Sequence, residues 1–190
     1  MEAHPCPRAD RRPCLQPFVD SKEDKNSVGP CPVSGAKIEQ MRQKVAAWMQ
    51  PGSPGHAVLA TTGLRLCLLD GFLLYAEEMR AATDLLDVKL FLRVSKAKAT
   101  QRREARDGYV TLEGFWQDPP GYVDKVVWPN HVEAHAWLFA AGDVEGAPRA
   151  DVLAAEGLLV QPGAGLDVDM ETTLEWAVTT LMERLEAFKP

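Results

Sequence analysis

Residues 88 to 94, VKLFLRV, limit the possible folds more than any other run in this chain. They are β-branched and aromatic, they have strand length, and they end on Ser95, a good helix N-cap ahead of Lys96 to Arg106. A strand feeding directly into a helix is half of an α/β unit. Leu64 to Leu69 (LRLCLL) supplies a second apolar run, which reads as a strand buried on both faces and hence as part of a parallel sheet. Between and beyond them the period changes to that of helices. Ile38, Met41, Val45, Trp48 and Met49 form one apolar stripe within Ser34 to Gln50, stopped by Pro51-Gly52 and followed by a Gly/Pro linker. Pro129 suits the first turn of a helix that turns Val132, Ala136 and Phe139 inward and closes at Gly142. Asp151 to Glu156 reads as a short helix and Gly157 to Val160 as a short strand. Met170, Leu174, Val178, Leu181, Leu185 and Phe188 line a terminal helix. This alternation predicts a parallel α/β sheet flanked by helices.

The first 33 residues stand apart. Six prolines between Pro5 and Pro32 forbid helix and interior strand alike, so residues 1–33 read as an irregular segment and residues 34–190 as the folded domain. The 190 residues suit one domain, and a net charge of −6 argues against a nucleic-acid or anionic-membrane partner. Asp70 interrupts the most apolar run, and Arg8, Asp10, Arg11 and Arg12 stand where a signal peptide needs an apolar core, so a cytoplasmic protein is expected. Cys6, Cys14, Cys31 and Cys67 lack metal-ligand spacing; Cys67 reads as core.

Chemistry concentrates in residues 101 to 131, QRREARDGYVTLEGFWQDPPGYVDKVVWPNH. On the helix that opens this stretch Lys98, Arg102 and Arg106 share a face at i, i+4 and i+8, repelling by roughly 0.2–0.5 kcal/mol per neighbouring pair, and an anion would remove that cost. Arg103 differs, because Asp107 lies four residues on and could pair with it. Gly108, Gly114 and Gly121 then punctuate an aperiodic connection, and such long connections inside a domain are functional or disordered. Tyr109, Phe115, Trp116, Tyr122 and Trp128 make it too aromatic for disorder, so residues 101–128 read as a lid that closes on a flat ring. Pro120-Gly121 fits the centre of a type II turn, and an extended exit from it would point Tyr122 and Asp124 the same way. Ring stacking, a hydroxyl acceptor and a cationic helix together ask for a nucleoside or nucleotide. At the carboxyl end of the Leu64 to Leu69 strand, where open parallel sheets carry ligands, stands Asp70, which is also a common residue for a turn before Gly71. His131 and His135 have the spacing of a helical metal pair but no evident third ligand, and read as a satisfied surface or boundary pair.

DGFLLY (70–75), FLRVS (91–95), RREAR (102–106), GYVTLEGFWQDPPGYVDKVVWPN (108–130) and HAWLF (135–139) together resemble the nicotinamide riboside kinase and uridine kinase-like branch of the P-loop kinases, most closely its fungal-type members. The resemblance runs from about residue 21 to the C-terminus and is specific over residues 64 to 139. It implies a P-loop-kinase-like sheet and ATP-dependent phosphorylation, with Mg²⁺, of the 5′-hydroxyl of nicotinamide riboside or a related nucleoside in NAD biosynthesis. By the same resemblance Asp70 matches a Walker-B-like carboxylate that holds Mg²⁺ through water. Arg102 and Arg106 match lid arginines that reach the ATP phosphates, Arg103 one that contacts the ribose, Tyr109 the aromatic that stacks on the base, and Asp118 a substrate-binding carboxylate. The stretch between Arg106 and Asp118 is longer than in animal-type members, which leaves Tyr122 or Phe115 open in place of Tyr109.

These kinases also need G-x-x-x-x-G-K-[ST], whose amides wrap the phosphates, and that run is absent. The nearest approach, GPCPVSGAKI (29–38), has the wrong spacing and prolines where amides are required. The family's Asp-Asp-Phe-Tyr-like run is absent too. The expectation is a partial kinase domain without its N-terminal strand–P-loop–helix unit, inactive alone; the alternatives are a non-catalytic module that binds nucleosides or partners, and a kinase that holds ATP by other means.

Overall fold

The computed structural model describes residues 33–62, 65–105, 109–111, 114–162 and 165–188, with the backbone alone for residues 60–62, 109–111 and 114–116. Its architecture is a helix-rich mixture around a small parallel sheet. The first helix, α1 (Gly35–Trp48), starts where the Ser34 hydroxyl accepts from the Lys37 N–H at 3.2 Å, satisfying one of the donors that a helix start leaves free. Met41 is buried, Ile38, Val45 and Trp48 are half-buried and Met49 is exposed, so the apolar stripe is the inner face except at its end.

The stretch read as a Gly/Pro linker holds a helix, α2 (Pro54–Thr62). Pro54 occupies its first position, where the missing N–H costs nothing. Gly55 lets the two helices meet, because a Cβ there would fall inside the Trp48 indole. The terminal helix α7 (Met170–Ala187) is capped by Asp169, whose carboxylate accepts from the Thr172 N–H at 2.8 Å. It is joined to α1 by Lys37 to Glu175 at 2.5 Å, Lys44 to Thr179 at 2.6 Å and the Trp48 indole N–H to Glu186 at 2.6 Å.

A short helix α3 (Arg80–Thr83) precedes strand β1 (Lys89–Phe91), and Ser95 caps α4 (Lys96–Glu104) by accepting from the Lys98 N–H at 3.1 Å. A hairpin of β2 (Tyr109–Thr111) and β3 (Gly114–Trp116) follows, then α5 (Trp128–His135), α6 (Ala150–Glu156), β4 (Leu158–Val160) and α7. β1 and β4 run parallel with Lys89 opposite Leu158 and Phe91 opposite Val160. Gln161 prolongs the pairing by donating its side-chain amide to the Arg93 carbonyl at 2.9 Å. Phe91, Leu138, Phe139, Val144 and Leu158 form the buried core, with Tyr75, Trp128, Val132, Val152, Leu153 and Val160 packed around it.

Two expectations fail here. The run at Leu64–Leu69 does not form a buried strand: residues 65–70 have no regular structure, and Leu66, Leu68, Leu69 and Cys67 are exposed. A strand persists only beside a neighbour that takes its N–H and C=O groups, and among the described residues nothing pairs with this segment. The helix expected to reach Gly142 ends at His135, after which a 3₁₀ turn (Ala136–Leu138) hands over to an extended Phe139 that enters the core. Among the described residues, no helix is long and apolar enough to cross a membrane.

Candidate functional site

α4 leaves the carboxyl edge of β1, the edge at which open parallel sheets carry their ligands. Its N-terminus is held by carboxylates from two distant loops. Asp167 accepts the Ser95 N–H at 2.9 Å and the Ser95 hydroxyl at 2.8 Å, and Glu145 accepts the Lys96 N–H at 2.9 Å. The Ser95 N–H, then its hydroxyl, hold the Asp167 carboxyl below its ordinary pKa, and the charges of Arg102 and Lys98 add to this. Sequence reasoning missed Asp167 and Glu145, because separations of 72 and 49 residues leave no local signal.

Two turns further along α4, Arg103 reaches across to Asp118, in the stretch expected to be a lid. Its Nε donates to Asp118 Oδ2 at 2.7 Å and its Nη2 to Oδ1 at 3.1 Å, a bidentate fork that fits a carboxylate in one orientation. The guanidinium carbon also lies 5.6 Å from the centre of the Tyr122 ring, within cation–π range. Asp118 and Tyr122 are brought there by the intervening turn. The Tyr122 N–H donates to the Pro119 carbonyl at 3.0 Å and Gly121 has φ +74°, the left-handed backbone that a type II turn requires at its third position.

The exit from that turn is not extended. Tyr122 has helical dihedrals and Val123–Val127 is a π-helical turn leading into α5. Residues two apart on such a turn point in opposed directions, whereas on an extended chain they would align. Asp124 therefore does not join Tyr122; it pairs with Lys96 Nζ at 2.8 Å, another residue that sequence reasoning missed. Two ties, Arg103–Asp118 and Lys96–Asp124, thus fasten residues 118–124 to α4.

The remaining candidates are not gathered at this point. Asp70 is exposed on the segment without regular structure and has no hydrogen bond or ion pair among the described residues. Arg102 is exposed. Arg106 and Asp107 lie outside the described residues, as do the side chains of Tyr109, Phe115 and Trp116. Trp128, read as a lid aromatic, packs against the core instead. Among the described residues no group of three or more metal-ligating side chains is assembled. His131 is half-buried, the boundary position expected of it, whereas His135 is buried at 1 % exposure and lies deeper.

The chain is 35% identical over 128 residues to the nicotinamide riboside kinase of Schizosaccharomyces pombe, a match that takes in 67% of this chain and 52% of that protein. It is 46% identical over 78 residues to the nicotinamide riboside kinase of Eremothecium gossypii, covering 41% and 32% of the two chains. It is 32% identical over 99 residues to nicotinamide riboside kinase 1 of Rattus norvegicus, covering 50% and 47%. The chain thus spans about half the length of the first of these curated relatives and less of the others. No family model matches it, and no solved structure matches it. By sequence the chain is related to the nicotinamide riboside kinases over part of their length.

Proposed function

We propose that these residues form the lid and substrate side of a nucleoside kinase that phosphorylates the 5′-hydroxyl of nicotinamide riboside or a related nucleoside with ATP and Mg²⁺, on a P-loop-kinase-like sheet. The observation that carries this reading is the Arg103–Asp118 fork beneath Tyr122. Arg103 and Asp118 are residues for which resemblance implies ribose and substrate contacts, Tyr122 is one left open in place of Tyr109 for the base, and their meeting supports the assignment. A vicinal diol offers donors to Asp118 and acceptors to Arg103, and Tyr122 offers a face to a flat base.

Arg102 and Arg106 would meet the phosphates, Tyr109 the base and Asp124 a hydroxyl once Lys96 releases it. Asp70 would hold Mg²⁺ through water. A single exposed carboxylate suits that role, since Mg²⁺ keeps most of its water and takes its other ligands from nucleotide phosphates. When bound, the ion would neutralise charge on the phosphate being transferred. The 190 residues contain no G-x-x-x-x-G-K-[ST], which favours a second reading for this chain taken alone, nucleoside binding without transfer.

Calorimetric titration of the full chain with nicotinamide riboside and with uridine tests the shared part of both readings. Saturable binding, weakened at least about tenfold by Asp118→Asn, is the expected result. Absence of binding, or equal binding by the variant, overturns the assignment.

A further inference from the structure

We propose that His131 and His135 form an acid-sensitive latch that joins the turn beginning at Phe72, just after Asp70, to α5. The inference is independent of the phosphotransfer reading. It begins with a continuous file of rings: Phe72 stacks on His131 at 5.9 Å and 25°, His131 lies 4.7 Å from His135, and His135 lies 5.2 Å from Phe91 of β1. Trp128 closes the side at 5.1 Å from His131. The turn following Asp70 is thereby attached to α5 and the sheet through two imidazoles.

Hydrogen bonding fixes the state of the His135 ring. His135 Nδ1 lies 2.9 Å from the His131 carbonyl, which can only accept, so the proton sits on Nδ1 and Nε2 carries the lone pair. That Nε2, and Nδ1 of His131, are buried with no partner among the described residues. A neutral imidazole bears this at the cost of one unmet acceptor. An imidazolium would bury an N–H and a net charge with nothing to receive either.

The surroundings offer no compensation. From the turn and just ahead of it come Asp70, which is exposed, and Tyr75, whose hydroxyl donates to the Leu90 carbonyl at 2.9 Å. From the chain after β1 comes Arg93, whose guanidinium lies over Phe139 and donates to the Gly146 carbonyl at 2.5 Å. The π-helical turn before α5 carries Asp124, held by Lys96, and exposed Lys125, while α5 itself carries exposed Glu133. None of these is a hydrogen-bond or ion-pair partner of either ring among the described residues. Burial, followed by the neighbouring His135, lowers the pKa of His131 from 6.5 to about 4; burial also lowers that of His135, against the opposing effect of its bond to the His131 carbonyl.

The sign follows from linkage. With the turn detached, His131 meets water and regains its ordinary affinity for protons, so the open form binds the proton that the closed form refuses. The closed arrangement keeps its full advantage above pH 6.5 and loses it as pH falls towards 4, by up to about tenfold in the closed-to-open ratio per pH unit. Opening is local because the turn is weakly held. Residues 65–71 have no regular structure and Phe72 is exposed apart from its stack, whereas β1 and β4 are paired.

Amide hydrogen exchange on the full chain, corrected for the intrinsic pH dependence of exchange, tests this. The Ala76 N–H, which donates to the Leu73 carbonyl at 3.1 Å within the turn, is the reporter, and amides of the β1–β4 pair are the control. Protection at Ala76 is expected to fall at least about tenfold between pH 7 and pH 5 with the control unchanged, and to stay flat in His131→Phe, which keeps a ring but takes no proton. Histidine ring titration by NMR in the unaltered chain guards against a variant that does not fold: a midpoint well below 6.5 for His131 and a lowered one for His135 support the latch. Unchanged Ala76 protection, equal acid loss in His131→Phe, or a midpoint near the ordinary value for either ring overturns it.

Discussion

Arg103 on α4 and Asp118, just ahead of the Pro119–Tyr122 turn, 15 residues apart in sequence, are locked by two parallel hydrogen bonds of 2.7 and 3.1 Å at positions only 24 % and 16 % exposed. At that depth solvent screens the pair incompletely, and removing one partner strands the other. Asp118→Asn is expected to loosen the lid's attachment by about 1–3 kcal/mol, read as lost exchange protection at the Tyr122 amide. Arg103→Lys keeps the charge but loses the fork, and an effect as small as that of a surface substitution would contradict the arrangement.

Residues 1 to 190 by themselves are expected to show no ATP-dependent phosphorylation of nicotinamide riboside or uridine. Without phosphate-cradling amides and a Mg²⁺ hydroxyl, several kcal/mol of electrostatic stabilisation is missing, and each ~1.4 kcal/mol is tenfold in rate. A turnover of about 1 per second, within the usual kinase range, would establish that this chain holds ATP by another route.

The clamp on α4 has its own pH dependence. The folded-state pKa of Asp167 lies below its ordinary value, so its contribution is present above pH ~4 and is lost as pH falls through the lowered folded value. Exchange protection in the first turn of α4 should drop in that range, and Asp167→Asn should show the reduced protection already at pH 7. An acid profile identical in variant and parent would refute the link.

Gly121→Ala forces a side chain into φ +74°, which costs an L-residue about 1–2 kcal/mol. The loss should appear at the lid, as faster exchange at Tyr122 and weaker nucleoside binding, with protection of the β1–β4 pair untouched. Gly35→Ala is the matching control, because nothing lies within 4 Å of its added methyl and no positive φ is involved.

Leu68 and Leu85 are 85 % and 81 % exposed, and Leu66, Leu69, Phe72 and Leu92 are exposed with them. Each forgoes roughly 1.5–3 kcal/mol of burial, an incentive to associate that several such side chains multiply. The isolated chain should bind a hydrophobic dye and self-associate with rising concentration, and Leu68→Lys with Leu85→Lys should reduce both. Sedimentation as a monomer at high concentration without dye binding would show that this surface is covered in solution.

Elements specified by their own neighbours were legible in the sequence. Ser95 caps the helix that follows it, and Pro120-Gly121 makes its turn, because each device acts over three or four residues. β1 and β4 could be read from their composition, and so could the stripe that buries Met41. Tertiary structure decided everything that needed a distant partner. LRLCLL has the composition of a strand but, among the described residues, no ladder to join, and Leu66, Leu68 and Leu69 face solvent. Val123–Val127 holds three β-branched valines yet winds into a π-helical turn ahead of α5, and that choice separates Asp124 from Tyr122. Arg103 had Asp107 as the partner suggested by helical spacing, and the fold provides it with Asp118. A periodic pattern encodes which face of an element is apolar; which charge meets which across the lid depends on how the chain crosses itself, and no local spacing records that.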